Sequence, residues 1–563
     1  MPTAVYREHL GTARASVTKV TAGATVSFRL TYTAGKYGID DSGGIMIMSR
    51  FPADFEALQF DDPAAPNHLR ITSSNRNVRF VPRYGPKIHL RPWGKGVEVK
   101  VTGGFLRPGD RVFFDYRRWR FQTFCERTFE LKVYADPIAT CEYAEIPRSP
   151  EIEVVAGRPA KLVIVAPTRV GTGRSFRAGV KLEDAWGNPC RNAASTVRVS
   201  VGGPASARSG RVKLKRGAAR VLLRAGEEGV AVVRGRCGRL AAESNPVRIV
   251  TGAKPARFWA DLHAQSEETV GTGSVEEYFA FARDYAFLDA VGHQGNDFQI
   301  TGEFWARLQR VTRRFNVDGK FAAFPGYEYS PNTGLGGDRN VINLRENGPL
   351  HRSSHALVDD VSDIATDAED ANVLFRKLRG TDSLVFAHVG GRYANMDMHD
   401  DAVERAVEIH SAWGTFEWLL HDSLRRGHRV GVVCNSDGHK CRPGASYPGA
   451  SKFGSYGGLT CVLAEKLSRR AIFDGVFARH TYGTTGARID LDVGLLDEKG
   501  RVRAIMGDVL RAPKRGALRL RVSALGTAPI ERVEVFNGLG RIAVRVPKAD
   551  PRASRAVKVL TAG

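Results

Sequence analysis

Imidazoles and carboxylates recur at the ends of short apolar runs in one stretch of this chain. Eleven of the fourteen histidines lie between His263 and His480. His263, His293, His388, His410 and His439 each stand at or just past the end of a strand-like run, and Glu328 and Asp437 are placed the same way. Imidazole nitrogen and carboxylate oxygen are the donors that divalent zinc, manganese or iron takes from a protein. Side chains at the carboxyl ends of parallel strands project into one mouth, so donors distant in sequence can share a cavity. Residues i and i+2 of a strand face the same way, so His263 with Gln265, and Asp437 with His439, can each present two donors. The metal candidates are therefore His263, Gln265, His293, Glu328, His388, His410, Asp437 and His439. The chemistry this permits is hydrolysis: two cations about 4 Å apart share a hydroxide, lower its pKa and polarise the substrate oxygen.

Other residues fit around that reaction. Asp261, two residues before His263, is a candidate for fixing an imidazole tautomer. Asp437 and His439 are expected at the reacting centre, and the leaving-group acid is either a metal-bound water or His355. An anionic substrate needs donors at the mouth. Arg339 in the glycine-rich GLGGDRN, Arg392, Lys440 and Arg442 are best placed, with Arg488 behind them. The segment from Lys440 to Gly458, carrying Tyr447, Phe453 and Tyr456, reads as an ordered loop over the site. His351, His399, His421 and His428 fall in polar loops or on helix faces and receive no role.

The elements that must hold these groups alternate. Ser274 and Glu277 form a capping box ahead of Tyr278, Phe279, Ala282 and Tyr285, which share one helical face. Phe304, Leu308, Val311 and Phe315 mark a second helix, and residues 415–427 and 467–479 two more. Between them lie the runs FWADL, FLDAVG, FAAFPGYE, SLVFAH, AVEIH and RVGVVCNSD. Strand–helix alternation over residues 257–490 predicts a distorted parallel β/α barrel. Before it, period-two patterning (Val26, Phe28, Leu30, Tyr32; Phe176, Ala178, Val180, Leu182) predicts a β-sandwich over 1–146 and an Ig-like sandwich over 151–250. A small β domain is expected over 491–563, giving a multidomain chain of α/β and all-β parts.

Composition narrows the class. The formal charge is +23, but it is uneven. Residues 1–250 hold 41 Lys/Arg against 22 Asp/Glu, whereas residues 251–490 hold 27 against 31. A slightly acidic middle suits a cation centre, and the scattered arginines of the flanks do not make nucleic acid an expected partner. Seven cysteines without a CxxC pair argue against a disulfide framework and a thiolate zinc site. No secretory h-region or membrane span is visible, so a soluble, cytoplasmic protein is expected.

The ordered motifs DLHAQS, VGHQGND, PGYEYS, FAHVGG, EIHSAW and NSDGH resemble the polymerase-and-histidinol-phosphatase (PHP) superfamily over roughly residues 257–490. The strings NTGLGGDRN, WGTFEWLL, RPGASYPGASKFG and YGTTGAR are similar to a bacterial PHP-like family without an assigned substrate, whose members carry β domains around the barrel. The resemblance implies a first metal on His263, Gln265, Glu328 and Asp437. It implies a second on Glu328, His388 and His410, and a third on His293 and His439, with Glu268 the nearest further ligand. Gln265 stands where the superfamily has a second histidine. Its carbonyl oxygen is a harder donor, which tilts the first site from zinc toward manganese, iron or magnesium. Two ions, or three, of manganese, iron or zinc are expected.

The function expected is a metal-dependent hydrolase of a small anionic ester, foremost a phosphoester. A lactone, amide or sulfate ester would use the same hydroxide, and a non-catalytic polyanion- or polysaccharide-binding protein with structural metals is the competing class. Neither the oligomeric state nor the role of the basic β domains is legible.

Overall fold

The computed structural model describes residues 4–85, 87–445, 455–511, 516–546 and 557–561. The chain divides into two compact units. The first is Met1–Arg158 with Asp184–Asn188 and Val270–Gly273, and the second is the remainder.

The first unit is β structure. A four-stranded sheet contains Thr25–Ala34 and Arg111–Arg120, and a five-stranded sheet contains Gly44–Arg50 and Trp93–Val101. Phe28, Leu30 and Tyr32 are buried while Ser27 and Arg29 face out, as the period of two requires. Phe28 stacks on Tyr116 at 4.6 Å between ring centres.

The second unit begins with another pair of sheets, of four and six strands, between Lys161 and Val250. Phe176, Ala178, Val180 and Leu182 are buried in Ser175–Glu183, as their alternation predicts. Beyond residue 490, strands such as Asp490–Leu496 and Arg519–Leu525 pair antiparallel.

The segment between them holds the candidate site. Its elements are β1 (Ala256–Asp261), α1 (Val275–Asp284), β2 (Ala290–Gly292), β3 (Gly295–Asn296), α2 (Gly302–Phe315), β4 (Ala322–Phe324), β5 (Gly326–Tyr329) and β6 (Arg339–Asn343). They continue with α3 (Ala371–Leu378), β7 (Ser383–Ala387), β8 (Glu404–Ser411), β9 (Gly414–Thr415), α4 (Glu417–Arg425), β10 (Gly431–Cys434), β11 (Leu459–Ala464), α5 (Arg469–Phe477) and β12 (Thr481–Thr484). Ser274 caps α1 in the expected capping box, and α2 buries Phe304, Leu308, Val311 and Phe315 against the sheets.

The expected parallel β/α barrel is not formed. The strands make two mixed sheets, one in the order β4-β2-β1-β11-β12, the other β3-β5-β6-β7-β8-β9 with β10 also beside β8. The six runs read from sequence pair parallel among themselves: β1 with β2, β2 with β4, β7 with β8, and β8 with β10. The strands of three or more residues not foreseen are β6, β11 and β12. All three pair antiparallel, β6 with both β5 and β7, and β11 with both β1 and β12. Alternation of strand and helix carries no information about such reversals, because an antiparallel partner needs no helical crossover.

No helix among the described residues is long and apolar enough to cross a membrane.

Candidate metal centre

Loops at the ends of β1, β7 and β10, together with β5 and β8, bring a small set of donors together. Ala264 bridges Gly438 in parallel, and the Asp437 amide donates to the His263 carbonyl at 2.7 Å. That pairing fixes HAQ beside SDGH. Asp437 itself sits at φ +45°, a left-handed conformation uncommon for a residue with a side chain and characteristic of strained functional turns.

His263 is fully buried. Its Nε2 lies 3.2 Å from Asp437 Oδ1 and 3.8 Å from Glu328 Oε2 but has no hydrogen-bond partner. Its Nδ1 faces Glu408, at 3.2 and 3.3 Å from the two oxygens. Glu328 divides its carboxylate: Oε2 turns toward His263, and Oε1 lies 3.4 Å from His388 Nε2. Both ring nitrogens of fully buried His388 are without a hydrogen-bond partner. Asp338 completes a set with Glu328 and His388 whose ligand atoms lie within 4.8 Å of one another, as do those of His263, Glu328 and Asp437. Gly390 admits the cluster closely, since a Cβ there would meet His388 Cε1 at 2.7 Å and Asp338 Oδ2 at 3.1 Å.

The electrostatics of this core are one-sided. Four buried carboxylates (Glu328, Asp338, Glu408, Asp437) share it with two imidazoles, and Arg392 donates to Asp338 through Nε at 2.6 Å. Burial pushes Asp437 up to about 7, with the charge of Glu328 adding to the effect against the pull of His263. Burial disfavours a charged His263, yet Asp437 and Glu408 overcome it and raise its pKa well above the ordinary value. Without a cation, the cluster must keep protons to offset its charge.

Several expected residues stand elsewhere or act otherwise. His410 is not in the cluster: its Nδ1 lies 2.8 Å from Thr415 Oγ1 and its Nε2 2.9 Å from the Tyr456 carbonyl. The cause is local. The β8–β10 register shifts between Glu408 and His410, and the irregularity breaks the alternation that would aim both side chains alike. Glu408 takes the inward position instead. Gln265 reaches the cluster but turns its amide N–H to Glu328 Oε2 at 2.9 Å, while its oxygen accepts from Thr269 Oγ1 at 2.8 Å. In this pose it donates to the shared carboxylate. His293 is buried between Tyr278 and Phe304 with Nε2 2.7 Å from Ser266 Oγ, and Ser266 in turn bonds Glu268. Asp261 does not reach an imidazole. It accepts from the amides of His263, Ser436 and Gly444, so it shapes the loops rather than a tautomer.

The mouth is also redistributed. Arg339 is fully buried, bonded to Glu404 at 2.8 Å and to the carbonyls of Gly336, Asn395 and Met398, so its fork is consumed as a structural clamp and not offered to an anion. Arg488 likewise binds the carbonyls of Ala286 and Phe287. His355 has one ring nitrogen 2.8 Å from Asp367 and the other 2.9 Å from Asp363, which leaves neither for a leaving group. Arg392 keeps its guanidinium partly exposed beside Asp338, and His439 stands 4.0 Å from Asp437 Oδ1. Lys440 and Arg442 are buried. Tyr447 and Phe453 lie outside the described residues, and Tyr456 is exposed.

Comparison with known proteins adds relatives without assigned roles. Residues 431–494, which include Asp437 and His439, match a family described as a protein of unknown function, DUF3604. An uncharacterized protein of Chlamydia pneumoniae is 22% identical over 323 residues, covering 52% of this chain and 49% of the relative. Another, from Chlamydia muridarum, is 23% identical over 319 residues with the same coverages. The chain thus spans about half the length of the curated relatives it matches. Among solved structures, the Escherichia coli adhesin FdeC aligns at 12% identity over 46% of this chain and 71% of that one, with a TM-score of 0.20. The D0-D1 domain of intimin aligns at 13% identity over 43% and 98%, with a TM-score of 0.15.

Proposed function

We propose that this chain is a metal-dependent hydrolase of an anionic ester, foremost a phosphoester, centred on His263, Glu328, His388 and Asp437. The observation that carries the reading is the pair of buried, unpartnered imidazole faces turned onto carboxylates. A buried polar atom without a partner is costly, and its persistence argues for a ligand that completes it. The spacings fit: donors about 2.1 Å from one tetrahedral ion stand about 3.4 Å apart, and here the pairs are 3.2, 3.4 and 3.8 Å apart. His263 Nε2, Glu328 Oε2 and Asp437 Oδ1 would hold one ion; Glu328 Oε1 and His388 Nε2, with Asp338, would hold another. Mixed imidazole and carboxylate donors suit zinc, manganese or iron.

A bound ion pair supplies Lewis acidity and acidifies water. The chain's own residues do the rest. Glu408 holds the proton on His263 Nδ1 and thereby turns the Nε2 lone pair inward. Gln265 and Ser330 each donate to Glu328, at 2.9 and 3.2 Å, and fix its two oxygens in their divided pose. Arg392 offsets Asp338 and leaves a cation at the rim for the anionic group. His439, at the partly open side of Asp437, can pass a proton to a departing oxygen.

The test is hydrolysis of chromogenic phosphate, sulfate, lactone and amide substrates by chelator-stripped protein reloaded with manganese or zinc. Phosphoester turnover that needs metal and disappears in His388→Ala is the expected result. Loaded metal with no turnover on any member of the panel would overturn the reading.

A further inference from the structure

A cleft of about 560 Å³ opens where the turn between Lys215 and Ala218 meets α1 and the residues after it. Its walls differ in charge. Arg191, Lys215, Arg216 and Arg220 line one side; Glu276, Glu277 and Asp284 line the other. The acids are already engaged on their own face, Glu276 with Arg307 at 2.6 Å, Asp284 with Arg283 at 2.8 Å, and Glu277 with the Ser274 amide at 3.2 Å. Among the described residues, none of the four cations of the opposite wall forms a salt bridge with Glu276 or Asp284, although the charge of Asp284 acts on Arg220. Two of them lie on aromatic rings, Arg191 over Tyr285 and Arg220 over Phe287, each at 5.3 Å. Such stacking holds a guanidinium in place, and Arg220 Nη2 also donates to the Arg283 carbonyl at 2.8 Å, which leaves the remaining edge N–H groups for a ligand.

The turn that carries Lys215 and Arg216 is built to stay put. Arg216 (φ +51°) and Gly217 (φ +76°) occupy the two central positions of a tight turn closed by backbone bonds between Lys215 and Ala218. Both positions need positive φ, where asparagine and glycine are favoured and arginine is strained. The turn is pinned at its apex, because Tyr285 Oη donates to the Arg216 carbonyl at 3.1 Å. Gly217 is required by packing as well, since a Cβ would meet the Cys190 carbonyl at 2.3 Å. A strained arginine on an anchored turn, next to Arg191 and Arg220, makes a preorganised cationic wall. Burial lowers the pKa of Arg220 against the opposing charges of Asp289 and Asp284.

We propose that this cleft binds a diphosphate group, inorganic or carried on a small organic body, at a site separate from the metal cluster. Four cations from two chain segments suit a ligand bearing several charges over a single carboxylate, and the volume is that of a small-molecule pocket. An organic body would lie toward Tyr285, Ala280 and Phe315.

Calorimetric titration of the full chain in EDTA and low salt, with pyrophosphate and separately with ADP, tests this. Saturable binding is expected for one or both, and tighter ADP binding would identify the organic diphosphate as the ligand. Arg191→Gln with Lys215→Gln should weaken it about tenfold or more, whereas Arg208→Gln with Arg211→Gln, outside the cleft, should not. Circular dichroism verifies that both variants are folded. Absence of saturable binding to either probe, or equal weakening in the two double variants, would overturn the proposal.

Discussion

Glu408 stands against His263 with both carboxylate oxygens within 3.3 Å of Nδ1, and that contact decides which imidazole nitrogen faces the cluster. Asn435 Nδ2 secures the same carboxylate at 2.6 Å. Glu408→Gln should keep the fold but release the tautomer, lowering metal affinity about 10- to 100-fold. Competition with a calibrated chelator measures this, and unchanged affinity would remove Glu408 from the centre.

His410 and His388 should behave oppositely. His410 spends both nitrogens on Thr415 and Tyr456, so His410→Gln should retain the full metal stoichiometry. His388→Ala removes an inward donor and should lose at least one ion per chain. Elemental analysis after gel filtration separates the two outcomes.

Arg339 and Glu404 are a fully buried ion pair at 2.8 Å. Breaking such a pair from one side costs about 3–5 kcal/mol. Arg339→Met should therefore shift the denaturant midpoint strongly. A substrate-binding arginine would instead raise KM and leave stability alone.

His293 predicts an acid-sensitive fold. Burial lowers its pKa to about 3, so the folded protein keeps it neutral while the unfolded chain takes up a proton below about 6.5. Its contribution is present above pH 6.5 and is lost as pH falls toward 3, amounting to about 2 kcal/mol by pH 5. Urea unfolding at pH 7 and pH 5 should show this loss, and His293→Gln should reduce the difference between the two pH values.

The donors at strand ends were legible because HAQ, GYEY, AHVGG and SDGH each join a polar ligand type to an apolar run. Glu408 was hidden by its neighbour: in AVEIH the histidine is the more conspicuous donor, and the irregularity that turns it aside leaves no mark in composition. Asp338 was hidden in the same way by Arg339. A carboxylate within an apolar strand, or directly before one, is the signal that would have found both. The barrel expectation failed at β6, β11 and β12, short strands whose antiparallel partners are set by tertiary pairing and not by local pattern. Helices α1 and α2 were legible because their caps and apolar faces are local.

Anomalous diffraction from crystals grown with manganese or zinc tests the centre most directly. The expected result is a peak about 2.1 Å from His263 Nε2 and from an oxygen each of Glu328 and Asp437, with a second near His388 Nε2. Crystals grown with saturating metal that show no peak between those side chains would contradict it.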